Sequence, residues 1–169
     1  MARASWLQVE RRAEAIETLY RERYGRFRDV VATITGDHES ARDVVQETFA
    51  RALRKQRTFR GEGSLEAWVW RIALRTAREH VRRRPGVSMN GTVESALVEP
   101  ERDPVLAEAL RALPPKRRLV VFLRYFADLS YAEIAEVCEV SEGTVGATLA
   151  QARAALEQHL REGETSGAR

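Results

Sequence analysis

Four arginines in the first half of the chain recur at helical spacing, and this spacing places their side chains together. On a helical projection the four lie within about 60° of one another. They are Arg71, Arg75, Arg78 and Arg82. A continuous row of guanidinium groups neutralises phosphates, so the pattern indicates a surface that binds a polyanion.

Aromatic residues stand just before this row and at its start. Phosphate-neutralising cations beside aromatic rings are typical of surfaces for single-stranded nucleic acid, where unpaired bases stack on the rings. Trp68 falls near the stripe of Leu65 and Val69, which predicts that it packs in the core. Phe59 and Trp70 fit either packing or base stacking.

The sequence offers little that would support catalysis or metal binding. We find no nucleophile with a base, no phosphate-cradling glycine loop and no metal-ligand cluster at a suitable spacing. Cys138 is the single cysteine, and His38, His80 and His159 are scattered. We therefore expect a protein that is not an enzyme, with no metal site and no cofactor.

Composition points to a globular protein of the cytoplasm. Hydrophobic residues make up 44% and charged residues 31% of the chain, and no apolar run is long enough to cross a bilayer. The charged start MARASWLQVERR lacks a signal-peptide pattern, so we expect a cytoplasmic location.

The charge is unevenly distributed along the chain: residues 1–86 carry a net +7 and residues 87–169 a net −4. The first half is the better candidate for contact with a polyanion.

Helical periodicity extends over nearly the whole chain, without sustained strand alternation, so the predicted fold class is all-α. The first half predicts one or two helices over 5–35, a helix over 39–57 that follows Asp37, and a helix from the N-cap Ser64 to about residue 84. In the helix over 39–57, apolar positions form one stripe and Asp43 and Glu47 point away from it.

The second half predicts a helix-turn-helix after a linker. Periodicity is lost over 87–103, which predicts a flexible linker between domains 1–86 and 104–169. Ser130 and Glu133 have capping-box spacing, and Ser141 can cap a last helix. A short helix, a tight break and a longer helix over 129–156 are typical of DNA-binding units, although such pairs also serve only to pack a core.

Two stretches together resemble a known family. Residues 19–84, with DVVQETFARAL and FRGEGSLEAWVWRIALRTAREHVRRR, resemble region 2 of extracytoplasmic-function sigma factors. Residues 109–145, with ALPPKRRLVVFLRYFADLSYAEIAEVCEVSEGTV, resemble their region 4. The resemblance implies two small helical domains, a region 2 bundle and a region 4 helix-turn-helix.

The resemblance also assigns a polymerase contact and a promoter contact to the first domain. The family motif D-x-x-Q-E implies that Asp43, Gln46 and Glu47 dock on the clamp of core RNA polymerase. The alternative is a solvated helix face held by a Glu47–Arg51 pair, worth a few tenths of a kcal/mol. The residues implied in binding the melted minus-ten element are Phe59, Arg60, Trp70, Arg71, Arg75, Arg78 and Arg82.

Region 4 departs from the family pattern in its recognition helix. Basic residues usually follow the Gly-Thr-Val motif, whereas residues 146–151 of this chain are uncharged, and three expected cations are absent. We expect weak or unusually apolar binding of the minus-thirty-five element, helped by basic residues at the rim. The candidate contacts are Arg118, Arg124, Thr144, Ala147, Thr148, Gln151 and Arg153.

These implications predict an alternative, stress-responsive sigma factor. Its expected partners are core RNA polymerase, promoter DNA in duplex and melted form, and an anti-sigma factor. The neutral recognition helix and the acidic second half leave a second hypothesis open. In that hypothesis the chain is a sigma-like regulator that acts mainly through protein contacts, with weak promoter binding of its own.

Overall fold

The computed structural model describes residues 2–84 and 104–167, with the side chains of 8–84 and 104–162. These residues form helices and short connections, with no strand among them. The helices are α1 (Ala2–Thr35), α2 (His38–Lys55), α3 (Leu65–Arg82), α4 (Pro104–Ala112), α5 (Pro115–Tyr125), α6 (Tyr131–Cys138) and α7 (Glu142–Gly167), and a 3₁₀ turn (Gln56–Thr58) follows α2. The all-α prediction is confirmed for this part of the chain, and the predicted linker 87–103 lies outside the described residues.

Short polar side chains define where the helices begin. Asp37 accepts a hydrogen bond from a backbone amide in the first turn of α2, and Ser64 does the same for α3. Ser130 and Glu133 form a complete capping box at α6, and Ser141 caps α7. Each cap satisfies an amide that has no partner within its helix, which is why these boundaries were predictable.

Helices α1, α2 and α3 pack against one another around a column of aromatic rings. Tyr20 contacts Phe49 edge-on, Phe49 contacts Phe27, and Phe27 stacks on Trp70 with ring centroids 3.9 Å apart. Phe27 and Trp70 are completely buried. The column connects all three helices and fixes which side of α3 faces outward.

Helices α4 to α7 pack around a second apolar centre. Phe122 and Leu123 of α5, Ile134 of α6 and Leu149 of α7 are almost fully buried there. Helix α6 ends at Cys138, its C-cap Glu139 adopts a left-handed conformation with φ +58°, and α7 begins at Glu142. Helices α6 and α7 therefore form the predicted helix-turn-helix.

The two helix groups are in direct contact. Helix α6 packs against α3, α5 contacts α1, and the buried residues of both groups form one continuous cluster. Arg26 of α1 also pairs with Asp128, which follows α5, at 2.6 Å. Within the described residues, none of the helices combines the length and apolar character that crossing a bilayer requires.

Candidate nucleic-acid interface

The cationic ridge lies on the outer side of α3. It consists of Arg71, Arg75, Arg78 and Arg82. On the other side of the helix Ala73, Leu74 and Ala77 are buried, so the core sets the direction of the arginines. The ridge lines a cleft of about 650 Å³, to which α2 contributes Arg51 and Lys55. This concentration of like charge favours a polyanionic ligand.

Two ridge arginines have acidic partners. The Arg71 guanidinium lies 3.0 Å from a carboxylate oxygen of Glu136 on α6, and Arg75 lies 3.2 Å from Glu79 on its own helix. Arg78 and Arg82 are exposed and form no ion pair with the residues that the structure describes. A phosphate can approach Arg78 and Arg82 directly, whereas at Arg71 it must displace Glu136.

The tryptophans beside the ridge belong to the core. Trp68 is 8% exposed, as its spacing predicted, and Trp70 is 0% exposed. The burial of Trp70 corrects its prediction as a DNA contact, because the ring stacks on Phe27 and presents no face to a base. Phe59 is only partly buried and contacts Trp68 at a centroid distance of 5.5 Å. Phe59 is therefore the aromatic residue of this group that remains accessible.

A tight loop, residues 58–64, connects Phe59 to the start of α3. Gly61 and Gly63 adopt φ angles of +79° and +78°, which favour glycine over residues with a β-carbon. Between Phe59 and Gly61, the side chain of Arg60 is exposed. The loop therefore presents a cation and a partly exposed ring next to the ridge.

The outer face of α2 carries the D-x-x-Q-E residues. Asp43 and Gln46 are exposed, while Glu47 bonds Arg51 at 2.7 Å and Arg54 at 3.1 Å. The Arg51 hydrogen bond is the largest influence on Glu47 and lowers the pKa of its carboxyl. The alternative Glu47–Arg51 pair is therefore formed. It does not bury Glu47, whose side chain is 43% exposed.

Beside this face lies an apolar groove of about 540 Å³ between α1 and α2. Its lining includes Tyr20, Gln46, Phe49 and Leu53. Gln46 thus belongs both to the polar face and to the groove.

The first turns of α7 are open to solvent, as a recognition helix requires. Thr144, Ala147 and Gln151 are exposed, and Thr148 is half-buried. The Gln151 side-chain oxygen accepts a hydrogen bond from Arg117 at 3.0 Å. The Arg153 guanidinium donates to the Tyr125 hydroxyl at 2.8 Å. Arg117 of α5 and Arg153 of α7 therefore supply cations beside this face.

Two arginines predicted at the rim are engaged inside the fold. Arg118 is 8% exposed and donates to the backbone carbonyl of Arg111, near the end of α4. Burial lowers the pKa of Arg118, and its position corrects the prediction of a DNA contact, since the guanidinium is directed inward. Arg124 donates to the Leu129 carbonyl at 3.0 Å and is half-buried. It supports the connection between α5 and α6.

Comparison with known proteins matches both helix groups. The family model for sigma-70 region 2 matches residues 19–85, and that for sigma-70 region 4 matches residues 105–156. The RNA polymerase sigma factor YlaC of Bacillus subtilis is 32% identical over 160 residues, which cover 87% of this chain and 92% of YlaC. The chain is a sigma factor of the extracytoplasmic-function family. Sigma factors bind core RNA polymerase and direct initiation at promoters without catalysing a reaction, so this protein is not an enzyme.

Further proteins are similar to this chain in sequence or in fold. The ECF RNA polymerase sigma-E factor of Haemophilus influenzae is 27% identical over 175 residues, which cover 90% of this chain and 93% of the sigma-E factor. The structure of CnrH with the cytosolic domain of CnrY has a TM-score of 0.69 at 24% identity, covering 92% of this chain and 96% of CnrH. The sigma factor RpoE of Bartonella quintana, solved with the anti-sigma factor NepR, has a TM-score of 0.65 at 23% identity. The match covers 88% of this chain and 98% of RpoE.

The sequence did not reveal the contacts between the two halves of this sigma factor. Glu133 and Glu136 of α6 reach Ser64 and Arg71 of α3, across 69 and 65 residues of sequence. No local pattern predicts such a pairing, because α6 has the same capping signals whether or not α3 lies against it. The acidic surplus of the second half was the one related signal, and it does not identify individual partners.

Proposed function

We propose that this sigma factor holds the melted minus-ten strand on the cationic ridge and reads it with the loop 58–64. The observation that carries the proposal is the position of the four ridge arginines on the exposed side of α3, beside Phe59 and Arg60. Guanidinium groups neutralise the phosphates, while a ring and an exposed cation in the loop contact unpaired bases. Stacking and phosphate contacts then offset the cost of unstacking the duplex.

The test is transcription in vitro with core polymerase, using Arg71→Ala combined with Arg75→Ala. We expect core binding to persist and open-complex formation to fall. For single-strand binding, the loss of two phosphate contacts should also reduce the slope of log affinity against log salt by about 1.4. The matched control, Arg11→Ala with Arg111→Ala, removes two exposed arginines outside α3. Unchanged open-complex formation in the ridge variant would refute the proposed role.

We propose that core polymerase docks on the outer face of α2. Asp43 and Gln46 are exposed there, and Glu47 keeps part of its carboxylate accessible. The adjoining apolar groove adds surface that a partner helix can cover. In this proposal residues 1–86 form the polymerase-binding and minus-ten domain, 87–103 the linker, and 104–169 the minus-thirty-five domain.

We infer that α7 binds the minus-thirty-five duplex weakly. Thr144, Ala147 and Thr148 offer mainly apolar and hydroxyl contacts to base edges. Gln151 and Arg153 are exposed, but each already bonds a neighbour, Arg117 and Tyr125 respectively, which competes with DNA for them. Specific initiation should therefore depend more on the minus-ten element than on the minus-thirty-five element. The test is initiation by the reconstituted holoenzyme from promoters that carry changes in either element, which compares the loss caused by minus-ten changes with the loss caused by minus-thirty-five changes.

We further propose that the protein works in the cytoplasm and that an anti-sigma factor controls it. Support comes from its family and from RpoE, a protein of similar fold that was solved with the anti-sigma factor NepR. The face of α2 and its groove are the surfaces such a partner would need to cover. When the anti-sigma factor is added, we expect the protein to lose its binding to core polymerase. Cell fractionation tests the cytoplasmic location.

The neutral recognition helix favours a second candidate, a regulator that acts mainly through protein contacts. In residues 146–151 no cation is present, and Gln151 is already bonded to Arg117. The same transcription experiment separates the two candidates. Core binding without specific initiation supports the second, whereas initiation from defined promoters supports the first.

A further inference from the structure

Arg12 contacts Gln56 and Phe59, next to and within the loop 58–64, from a part of α1 that precedes the family match at residue 19. Its guanidinium donates to the backbone carbonyl of Gln56 at 2.6 Å. The central guanidinium carbon also lies over the ring of Phe59, 5.3 Å from its centroid. One side chain therefore engages both the backbone and the aromatic ring at this point.

The Gln56 carbonyl lies at the start of the 3₁₀ turn that leads into the loop. It accepts a second hydrogen bond, from the Phe59 amide at 3.4 Å. Arg12 therefore bonds the same carbonyl that holds the Phe59 backbone and covers the Phe59 ring. Trp68 contacts this ring as well, so both α1 and α3 restrict its position.

We propose that Arg12 is a positioning residue for minus-ten recognition, acting through Phe59. The proposal rests on the proposed role of the loop 58–64 in reading the melted strand. A guanidinium is planar and can lie over a ring while donating at its edge, so a single residue sets both the ring and the backbone. The extension of α1 before residue 19 thus contributes to promoter selection through the position of Phe59.

A simpler role for Arg12 would be to stabilise the end of α2. A cation near helix carbonyls does this whatever the position of the Phe59 ring. Lysine separates the two roles: it retains the charge and a donor for Gln56, but it has no planar group to cover the ring. If Arg12 only stabilises the helix end, lysine should restore every property of the wild type.

The experiment selects minus-ten sequences with reconstituted holoenzyme for the wild type, Arg12→Ala, Arg12→Lys and the control Arg11→Ala. Arg11 is the exposed neighbour and carries the same charge. We expect base preference at the loop-read position to fall about two- to fivefold in both Arg12 variants, with core binding unchanged. Arg11→Ala should match the wild type. A wild-type preference profile in Arg12→Lys would overturn the proposal.

A double-mutant cycle with Phe59→Ala tests whether Arg12 acts through the ring. Arg12→Ala should cause no further loss of base preference in the Phe59→Ala background. An equal loss in both backgrounds would overturn the positioning role alone. If Phe59→Ala by itself leaves the preference intact, the proposed reading role of Phe59 fails, and the positioning role fails with it.

Discussion

Ser64, the N-cap of α3, donates its hydroxyl hydrogen to the carboxylate of Glu133 on α6. The same carboxylate accepts hydrogen bonds from the amide and the hydroxyl of Ser130, the N-cap of α6. Glu133 therefore serves two helix starts, one in each matched region of the sigma factor. It connects the domain that carries the ridge to the helix-turn-helix.

Replacing Glu133 should weaken this junction in a pH-dependent way. Burial raises the pKa of Glu133, but hydrogen bonds from Ser64 and Ser130 outweigh burial and leave the pKa lowered. A lowered pKa means that the ionised group stabilises the fold above pH 4.5, and that this stabilisation is lost as pH falls through the lowered value. Glu133→Ala should lower the free energy of unfolding by about 1 kcal/mol at pH 7.

Urea unfolding of Glu133→Ala and the wild type at pH 7 and pH 3.5 measures this effect. The gap between the two proteins should narrow on acidification. Glu108→Ala, an exposed glutamate of α4, is the control and should shift stability by less than about 0.5 kcal/mol. A gap that stays constant with pH would show that the ionised carboxylate is not what stabilises the junction.

Glu136 should compete with DNA for Arg71. Its carboxylate pairs with Arg71 and also lies against the loop, since a β-carbon at Gly63 would be 2.8 Å from its Oε2. Glu136→Gln removes a charge that opposes phosphate on the ridge. Because exposed ion pairs are worth up to about 1 kcal/mol, affinity of the free protein for a single-stranded minus-ten oligonucleotide should rise about two- to fivefold.

Fluorescence anisotropy of a labelled oligonucleotide measures this change. Glu108→Gln removes the same charge from α4 and should produce a smaller rise, through net charge alone. Equal affinities for Glu136→Gln and Glu108→Gln would mean that the Glu136 contact does not restrict access to the ridge.

The local and the tertiary parts of this structure differed in how well the sequence predicted them. The caps Asp37, Ser64 and Ser141 were predictable because each depends on an amide three residues away. Trp70 was not, because its burial depends on Phe27 of α1. The periodicity of α3 placed the ridge on an outward face, but it could not show that Glu136 of α6 covers part of it.

Trp70→Ala and Arg75→Ala should separate stability from DNA binding. Trp70 is completely buried against Phe27, so its truncation leaves a cavity and should cost about 3–5 kcal/mol in the free energy of unfolding. Arg75 has a side chain that is 79% exposed, and its loss should change stability by less than about 0.5 kcal/mol. Thermal unfolding should show a large loss of stability for Trp70→Ala and little change for Arg75→Ala. Oligonucleotide binding, measured on the same samples, should be weakened by Arg75→Ala. A stable Trp70→Ala that fails to bind DNA would restore a direct DNA role for this ring.

Glu66 should give the opposite pH dependence to Glu133. Burial raises the pKa of Glu66, and the nearby Arg23 only partly opposes it. A raised pKa means that the protonated form is favoured by folding, so this group stabilises the fold at low pH and the contribution is lost as pH rises through the raised value. Relative to Glu66→Gln, the wild type should therefore gain stability as pH falls from 7 towards 4.5. Urea unfolding across this range measures the difference, and a constant difference would contradict the raised pKa.

A cation added to the recognition helix should strengthen duplex binding through phosphate contacts. Ala147 is exposed in the first turns of α7, where the family pattern has basic residues and this chain has none between 146 and 151. Ala147→Arg should raise affinity for minus-thirty-five duplex and steepen the slope of log affinity against log salt by about 0.9. Ala112→Arg adds the same charge at the end of α4 and should leave that slope nearly unchanged. Equal slopes for Ala147→Arg and the wild type would mean that α7 does not approach the DNA backbone at this position, and the helix-turn-helix would then need a different orientation on promoter DNA.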